Sequence, residues 1–599
     1  MIQYTKIIEG KTMKKIILSA VVSSALIIGV TGCGDSKNTT ASTHTSKQET
    51  KKLSLENSKK VLTAKINSYS KYGFDINQTS SQSYILSVKE PAKTVNMVLG
   101  LFNLSLSLNN TDKEALQQAF DGAKFSVDID WNKYASNQKD SVEVNYIGKG
   151  VEPKDIKKIL TDKKVGAYLT YNNNELKKID FKDINEKILE NNEELTIKLV
   201  NTFVDIAELP SEKSDNRIYT LNSKDMSITL KNEFNSTMEV GYKDMNCKVN
   251  KSNEYLGTQE CIIPTISIIN NKSTNNELDI TLSDTAYSYK TVSKNKKVNE
   301  AVSFSIKAID TNNNIHLKGF DISGTFNNMD EELIKEYMHL MQNPSVDIKK
   351  DLAKGLLIAG KIYQNNTTFS YDINLDSIKV KAEDISISLD GYKEEGNGSF
   401  DKNINYDDKT FIKNITILDL TNKSNGLVLE NFELNSGLKD FYNIVPEITN
   451  MLSFIISNDT NNTLVEETLQ KDGTALANKV VNQGFGIYIK PIGFDKISFS
   501  DNKEKYELGK SDFDIDIKLI PNKVQMDFNN PMLPMMLISY LKADGKLVIP
   551  IKDLQELAKK PEFATLGMLM MMAKIEGENA VFVIKFENGK LLVNGQPMM

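Results

Sequence analysis

The sequence predicts an α+β fold dominated by a large, mainly antiparallel β-sheet, elongated and with helices packed on one face. Three observations support this prediction. Many segments, such as residues 302–306 and 513–519, alternate apolar and polar residues, and period two is typical of strands with one face in water. Other segments, such as residues 328–341, place apolar residues at helical spacing. Strands, a pair of helices and further strands recur along the chain, although we find no repeat of fixed length.

The amino terminus has the features of a bacterial secretory signal. Lys14 and Lys15 precede an apolar run, residues 16–30, and the run ends at Val30-Thr31-Gly32-Cys33. A basic segment, a short apolar segment and small residues before a cleavage site define such signals. A cleavage site directly before a cysteine resembles the lipobox of bacterial lipoproteins. This resemblance implies that residues 1–32 are removed and that Cys33 is acylated. The alternative is an uncleaved anchor, although a spanning helix needs roughly 20 apolar residues.

The lipobox resemblance also implies a location and a partner. It places the protein in the cell envelope of a Gram-negative bacterium, facing the periplasm and held to a membrane by the lipid on Cys33. Residues 33–52 are rich in Ser, Thr and Lys without an apolar period, which predicts a disordered tether behind the lipid. Inner-membrane lipoproteins of enteric bacteria carry Asp after the cysteine. Gly34 stands there instead, so the outer membrane is favoured.

Residues 53–245 are predicted to form an α+β region. Helical spacing indicates helices at 55–69, 91–101, 111–120 and 153–160. Pro91 suits a first helical turn and Thr111 suits a helix cap. Alternation predicts strands at 84–88, 104–108, 125–131 and 142–146.

Residues 246–599 are predicted to form a β-rich region with apolar helices. Strand patterns fill residues 215–325 and 369–434 and return at 513–519. Helices are predicted at 328–341, 348–359, 438–456, 532–541 and 554–573, and Pro446 is expected to break the third of them. Near the end, Asn588-Gly589 separates the apolar segments 581–586 and 591–593. This predicts a hairpin, because both turn residues accept positive φ.

Cys247 and Cys261 are predicted to form a disulfide. With Cys33 assigned to the lipobox, they are an even pair in an oxidising compartment. The polar segment between them, residues 248–260, contains Gly257 and suits a hairpin. A disulfide that closes a loop of this size stabilises the fold by roughly 3 kcal/mol in the chain-entropy model. Two buried free thiols are the alternative.

Composition and motifs argue against several classes of function. The net charge is -6 and Arg217 is the single arginine, so we expect neither a nucleic-acid surface nor bidentate phosphate clamps. The sequence contains no nucleophile elbow, no complete P-loop and no His/Cys cluster with zinc spacing. We therefore predict no enzyme activity, no catalytic residue, no cofactor and no metal site.

Two acidic segments have the first spacings of a calcium loop. They are Asp128, Asp130 and Asn132, and Asp310, Asn312 and Asn314. Both lack the glycine and the glutamate that such a loop needs at later positions. We interpret both segments, and the alternating aspartates of residues 512–516, as polar strand faces and turns.

Three asparagines fit the longer bacterial N-glycosylation sequon, in which an acidic residue stands two positions before the asparagine. They are Asn77, Asn235 and Asn461. An asparagine-rich chain of this length produces such matches by chance, so the sequons alone predict no modification. Their use depends on whether the host has the transferase.

Methionines are concentrated near the carboxyl terminus, within residues 532–536 and 568–572. Methionine packs irregular gaps in a core, and it also forms adaptable binding surfaces. Residues 566–573 hold almost no polar residue, so we predict that these helices are core and hidden on nearly all sides. An apolar binding groove is the alternative.

Both ends of the mature chain resemble the YdgA-like family, a bacterial envelope family of unknown function. The carboxyl terminus shares the apolar helix 568–572, the strand 581–586, the turn Glu587-Asn-Gly-Lys590 and the ending Leu592-Val-Asn-Gly595. Residues 543–550 resemble the element before it, and residues 69–81 resemble the family's opening, with Lys71 and Tyr72 in place of an arginine. The family usually keeps an uncleaved amino-terminal helix. The resemblance implies an envelope protein with a large sheet and no activity.

The leading hypothesis is a membrane-anchored envelope lipoprotein without catalysis, a binding or structural module whose ligand is unknown. One alternative is a protein that handles lipids or other apolar ligands in a groove of its sheet. A second alternative is an envelope enzyme with an unrecognised site. A continuous apolar groove would favour lipid handling, and a deep polar pocket would favour the enzyme.

Overall fold

The computed structural model describes most of the chain from Ser54 to Met598. Within that span it leaves out residues 103–113, 115, 116, 119, 149–164, 191, 192, 210–215, 232–236, 254, 272–277, 312, 313, 343–347, 423, 424, 459–461, 502, 503, 526, 528, 529 and 560–564. The chain divides into two compact units, Met1–Ser288 and Tyr289–Met599. The predicted signal peptide and tether, and the helix predicted at 153–160, lie outside the described residues.

The first unit begins with short elements and continues into long strands. Its helices are α1 (Leu55–Ser68), α2 (Pro91–Phe102) and α3 (Trp131–Ala135). Its strands are β1 (Phe74–Gln78), β2 (Ser83–Val88), β3 (Lys124–Ile129), β4 (Val142–Gly148), β5 (Gly166–Asn172), β6 (Glu175–Phe181), β7 (Ile184–Glu190), β8 (Glu193–Glu208), β9 (Arg217–Lys231), β10 (Thr237–Lys251) and β11 (Gly257–Asn271). Among the described residues each strand pairs antiparallel with the next, except that β6 pairs with β8 and not with β7. The domain boundary predicted between residues 245 and 246 falls inside β10.

The first unit has a large hydrophobic core at its amino-terminal end. In the part of the chain that the structure describes, this core contains 27 buried hydrophobic residues. Helix α1 contributes Leu62 and Ile66, which are buried on one side of the helix, and the Ser54 side chain caps its start by accepting a hydrogen bond from the Asn57 N–H at 3.3 Å. The core continues onto β8 through Val204 and Ile206.

The second unit carries the longest run of paired strands. The strand β12 (Leu278–Lys294) contains the division between the units. Beyond it come β13 (Lys297–Thr311), β14 (Ile315–Asp330), β15 (Thr367–Lys381), β16 (Ile385–Phe400), β17 (Asn403–Asp419), β18 (Gly426–Tyr442), β19 (Phe485–Phe494), β20 (Lys496–Asp501), β21 (Glu504–Leu508), β22 (Ser511–Leu519), β23 (Leu541–Pro550), β24 (Lys574–Glu576), β25 (Asn579–Glu587), β26 (Lys590–Val593) and β27 (Gln596–Pro597). From β13 to β18 each strand pairs antiparallel with the next. One half of β18 then pairs with β19 and the other half with β20.

Helices interrupt the second unit between strands. They are α4 (Glu331–Gln342), α5 (Ile348–Ile362), α6 (Val445–Ser457), α7 (Asn462–Gln483), α8 (Leu533–Ile538), α9 (Ile551–Ala558) and α10 (Thr565–Met572). The Asp330 side chain caps α4 by accepting hydrogen bonds from the N–H groups of Glu332 and Leu333. Among the described residues of this unit, the two buried hydrophobic clusters contain only five and four residues.

The structure confirms a mainly antiparallel sheet with additional helices, and it corrects several predicted boundaries. The helix predicted at 438–456 was wrong at its start, because residues 438–442 complete β18. Pro446 does not break that helix. It lies in the first turn of α6, where the missing N–H has no intrahelical partner to lose. The helix α7 was not predicted. In place of the helices predicted at 532–541 and 554–573 the structure has the three short helices α8, α9 and α10, and α9 begins before the predicted segment, at Ile551.

Every second long strand has a residue with positive φ near its middle. These residues are Asn201, Asp244 and Asp284 in the first unit, and Gly319, Gly391 and Asn431 in the second. At these points the interval between apolar residues changes from two to three, as from Tyr242 to Met245 and from Leu389 to Tyr392. A residue in the left-handed region breaks the regular alternation of side chains. The long strands are therefore built from two halves with different phases of alternation.

Candidate functional site: an aliphatic face of the second unit

Two rows of apolar side chains cross the second unit from β14 to β21. The first row consists of Ile315, Val380, Ile387, Ile417, Leu427, Phe499 and Tyr506, and the second of Leu317, Ile378, Leu389, Ile415, Leu429, Ile497 and Leu508. Within each row every residue is the direct cross-strand partner of the next. Residues two apart on a strand share a face. The rows therefore lie side by side on one face, and we call them the aliphatic double row.

The side chains of the aliphatic double row are only partly covered by the protein itself. None of its residues belongs to the buried hydrophobic residues of the chain. Ile387 is 43% exposed and Phe499 is 47% exposed, and Ile385, beside the double row on β16, is 47% exposed. Contiguous exposed apolar surface on a protein commonly marks a site of interaction. This surface is the strongest candidate site in the second unit.

The opposite face of the same strand segments is polar. On β16, Ser386 and Ser388 alternate with the isoleucines, and on β17 Asn414 and Thr416 do the same. The alternation follows from the period-two pattern, and the regular register of β15 to β18 aligns it from strand to strand. The sheet therefore has an aliphatic and a polar face at this end of the strands. Its apolar side chains could contact an uncharged ligand, but they offer no group for acid–base or nucleophilic chemistry.

A cluster of tyrosines and carboxylates lies on the other half of the same strands. The Tyr371 hydroxyl lies 2.7 Å from Asp408 Oδ1, 3.0 Å from Glu394 Oε1 and 2.6 Å from the Tyr406 hydroxyl. The Tyr392 hydroxyl donates to the other carboxylate oxygen of Glu394. Tyr371 also covers Gly396, since a Cβ built there would lie 2.3 Å from its ring.

The electrostatics of this cluster keep its hydroxyls protonated. Burial, followed by the hydrogen bond to Glu394, raises the pKa of Tyr392 to about 12. Burial and hydrogen bonds to Tyr406, Asp408 and Glu394 raise the pKa of Tyr371 further. A tyrosine with a raised pKa is a hydrogen-bond donor at neutral pH and not a base. The hydroxyls of the cluster are therefore neutral hydrogen-bond donors to the carboxylates of Glu394 and Asp408.

The structure brings together the two cysteines that the sequence paired. Cys247 of β10 and Cys261 of β11 are direct cross-strand partners, and their sulfurs are at disulfide distance. The pair therefore links two adjacent strands of the first unit. Cys33, the predicted site of lipid attachment, lies outside the described residues, as do Asn235 and Asn461 of the three sequons.

The acidic residues with calcium-loop spacing have structural partners. Asp130 caps α3 by accepting hydrogen bonds from the N–H groups of Asn132 and Lys133, and Asp128 accepts one from the Ser83 hydroxyl at 2.7 Å. Asp310 lies 3.0 Å from His316 Nδ1. Within the described ranges, no group of three or more His, Cys, Asp or Glu side chains is arranged to hold a metal ion.

The prediction that the methionine-rich helices are hidden on nearly all sides was wrong for most of their described methionines. Met570 and Met572 are partly buried against the cluster of Leu554, Ala580, Phe582 and Val593. Met571, in contrast, is 83% exposed. On α8, Leu533 is buried and its methionine neighbours are exposed. An apolar helix sequence does not require all-round burial when the helix is only one or two turns long.

The comparisons with known proteins identify one similar family. Residues 167–354, from β5 into α5, match the model of a family described as a bacterial protein of unknown function, DUF945. The match covers less than half of the chain and lies between the two end segments on which the YdgA-like resemblance rests. That resemblance therefore stays a prediction. No curated protein and no solved structure matches the chain.

One further structural observation concerns membranes. In the part of the chain that the structure describes, no helix is both long and apolar enough to cross a bilayer.

The aliphatic double row was not predicted, although its signal is present in the sequence. In β14 to β18 the alternating apolar residues are separated by three positions at one point, and that interval divides each strand into halves. Reading each half as its own amphipathic strand would have located the rows. Their exposure could not have been found in this way, because no sequence pattern reports whether another segment covers a sheet face.

Proposed function

We propose that this protein binds the acyl chains of lipids on the aliphatic double row while a lipid on Cys33 anchors it to a membrane of the bacterial envelope. The proposal includes no catalysis. The observation that carries it is the partial exposure of fourteen paired apolar side chains on one sheet face. In this proposal the helices pack on one face of the sheet and leave the double row open. In this proposal the protein faces the periplasm, and its lipid is attached to the outer membrane and not to the inner membrane.

The dimensions of the double row favour an extended aliphatic ligand. Neighbouring strands lie about 4.8 Å apart, so the seven strands that carry the rows, β14 to β18 with β20 and β21, extend them over roughly 29 Å. The hydrocarbon core of a bilayer, two acyl chains thick, measures about 30 Å. A single acyl chain is thus shorter than the rows and can lie along them over its whole length.

The chemistry of the double row also favours acyl chains over a polypeptide. Thirteen of its fourteen side chains are purely hydrocarbon, and Tyr506 is the exception. The backbone groups of β15 to β18 are already paired in the ladder, so a docked peptide would find few partners for its own N–H and C=O groups. An acyl chain has no such groups and gains about 0.8 kcal/mol for each buried methylene.

The tyrosine–carboxylate cluster gives no comparable support to an enzyme. Its tyrosines have raised pKa values and are therefore donors, not bases, near neutral pH, and hydroxyl groups already occupy its two carboxylates. A structural role in packing the strands explains these contacts. The acyl-chain proposal therefore rests on the double row and not on the cluster.

Native mass spectrometry of the full chain purified from its host tests the proposal. The wild-type protein should carry non-covalent adducts with lipid masses, in addition to any covalent lipid. The variant Ile387→Asp with Ile417→Asp changes two paired residues of the first row and should lose the adducts. The control Ser388→Asp with Thr416→Asp changes two paired residues of the same strands on the polar face and should keep them.

Two outcomes would overturn the proposal. Adducts that persist in the Ile387→Asp and Ile417→Asp variant would place the lipid elsewhere, provided that circular dichroism shows an intact fold. A protein adduct in place of lipid would favour a binding module for a polypeptide partner.

A further inference from the structure

The short helix α8 presents an exposed apolar surface near the carboxyl terminus. Four apolar side chains, Met532, Met535, Met536 and Ile538, are exposed on and beside this helix, and Met535 is 64% exposed. We call these four residues the methionine patch. It belongs to neither row of the aliphatic double row, and it follows β21, the last strand of the double row, in the chain.

The methionine patch is held in place by the fold. Leu533 of the same helix is buried, so the helix is fixed to the protein by one side. The Asn530 side chain accepts a hydrogen bond from the Met532 N–H at 2.9 Å, and the Ile520 N–H donates to the Tyr540 carbonyl at 2.9 Å. Both ends of the segment are therefore attached. The methionines are exposed by the architecture of the segment and not by an unfolded loop.

The charges around the methionine patch favour a membrane surface. Residues 530–541 contain no charged residue. The turn at Gly589 borders the patch, since a Cβ built there would lie 3.5 Å from Ile538 Cγ2, and the next residue is the exposed Lys590. Its cross-strand partner is Glu587, whose carboxylate pairs with Lys542, the residue that follows the uncharged segment. Two lysines around one carboxylate leave a net positive border beside an uncharged apolar tip, which matches the anionic headgroups and the hydrocarbon boundary of a bilayer.

We infer that the methionine patch inserts into the surface of a membrane and orients the second unit on it. Methionine suits this task, because its flexible, polarizable side chain adapts to an irregular apolar environment. The predicted lipid on Cys33 would hold the chain to a membrane but would not orient it, since the sequence predicts a disordered tether behind the lipid. Insertion of the patch supplies the second contact. The inference does not depend on acyl-chain binding by the aliphatic double row.

Quenching of tryptophan fluorescence by brominated lipid tests the inference in the full chain. The natural Trp131 is buried and supplies a constant background. The variant Met535→Trp is reconstituted with vesicles of phosphatidylglycerol and dibrominated phosphatidylcholine. We expect its additional emission to shift to shorter wavelength and to be quenched, relative to unbrominated vesicles. The matched control is Asn397→Trp, at an exposed position on β16, whose emission should be unaffected by bromine.

The quenching result is interpreted only for protein that is bound to vesicles. Flotation of the vesicles measures this binding independently of fluorescence. Bound Met535→Trp protein whose emission is not quenched would overturn the inference and leave a protein partner as the occupant of the patch. Equal quenching of Met535→Trp and Asn397→Trp would also overturn it, because the patch would then not be the inserted element. Lys590→Glu should reduce quenching in vesicles containing phosphatidylglycerol, and an unchanged signal would exclude the proposed role of that lysine.

Discussion

Leu199 and Val204 of β8 pack into the same hydrophobic core although they lie five positions apart on one strand. Strict alternation would place residues an odd number apart on opposite faces. Asn201 lies between them with φ of 47°, and its N–H is bound by the Asp183 carboxylate at 2.7 Å and not within the ladder. The left-handed residue thus brings the apolar side chains of the two half-strands to one side. The same change of phase recurs at the other positive-φ residues of the long strands.

The conformation of Asn201 leads to a first prediction. Asn201→Val should lower the free energy of unfolding by roughly 1–3 kcal/mol, because a β-branched residue is strained at positive φ. Asn201→Gly should cost less than about 1 kcal/mol, because glycine accepts this region. Denaturant unfolding measures both. Lys224→Val, at the same level of the neighbouring strand β9 and without positive φ, is the control and should be nearly neutral.

The crossing of α5 and α6 leads to a second prediction. A Cβ at Gly360 would lie 2.1 Å from Thr449 Oγ1, so Gly360→Ala should destabilise the protein by roughly 1–3 kcal/mol through overpacking. Gly473→Ala in α7 should instead stabilise it by about 0.5–1 kcal/mol, since a Cβ there meets no atom within 4 Å. Thermal unfolding of the two variants should move in opposite directions. Equal shifts would show that the two helices do not cross at Gly360.

A third prediction separates the two sides of α10. Met570→Ala should cost roughly 1–3 kcal/mol, less than the roughly 2–5 kcal/mol of a fully buried methionine, because Met570 is only partly buried. Met571→Ala should change stability by no more than about 0.5 kcal/mol, because its side chain is 83% exposed. Chemical denaturation compares them directly. If Met571→Ala were the more damaging change, the packing of α10 described above would be wrong.

A fourth prediction concerns pH. Burial raises the pKa of Glu300 in the folded state, and burial followed by the nearby Glu300 carboxylate raises the pKa of Tyr363. A carboxyl with a raised folded pKa binds its proton more tightly when folded, so stability is lost as pH rises from the unfolded pKa, near 4.5, through the folded value. Glu300→Gln removes this titration. Its melting temperature relative to wild type should therefore rise as pH increases from about 4.5 through the raised folded pKa. A difference that is constant over this range would contradict the assignment.

The sequence predicted the elements whose signals are local. Alternation located the long strands, and Asn588-Gly589 located the last hairpin, where both turn residues have positive φ in the structure. The pairing of Cys247 with Cys261 followed from an even count and a hairpin loop. Each of these features depends on residues that are close along the chain, so a single sequence contains enough information to find it.

The features that were missed depend on contacts between distant segments. Helix α7 has few apolar positions, and its apolar stripe is too weak to predict a helix of 22 residues from periodicity. The exposure of Met571 and of Ile387 depends on which segments pack on α10 and β16, and composition does not report this. The candidate site therefore became visible only when the strand register aligned its rows.

The most direct test of acyl-chain binding is site-specific photo-crosslinking in the living host. A photoreactive phenylalanine analogue replaces either Ile387 on the aliphatic face or Ser388, the next residue, on the polar face. The acyl-chain proposal predicts lipid-mass adducts on the peptide that contains position 387 and none from position 388. Protein crosslinks at 387, or lipid adducts of equal yield at both positions, would contradict it.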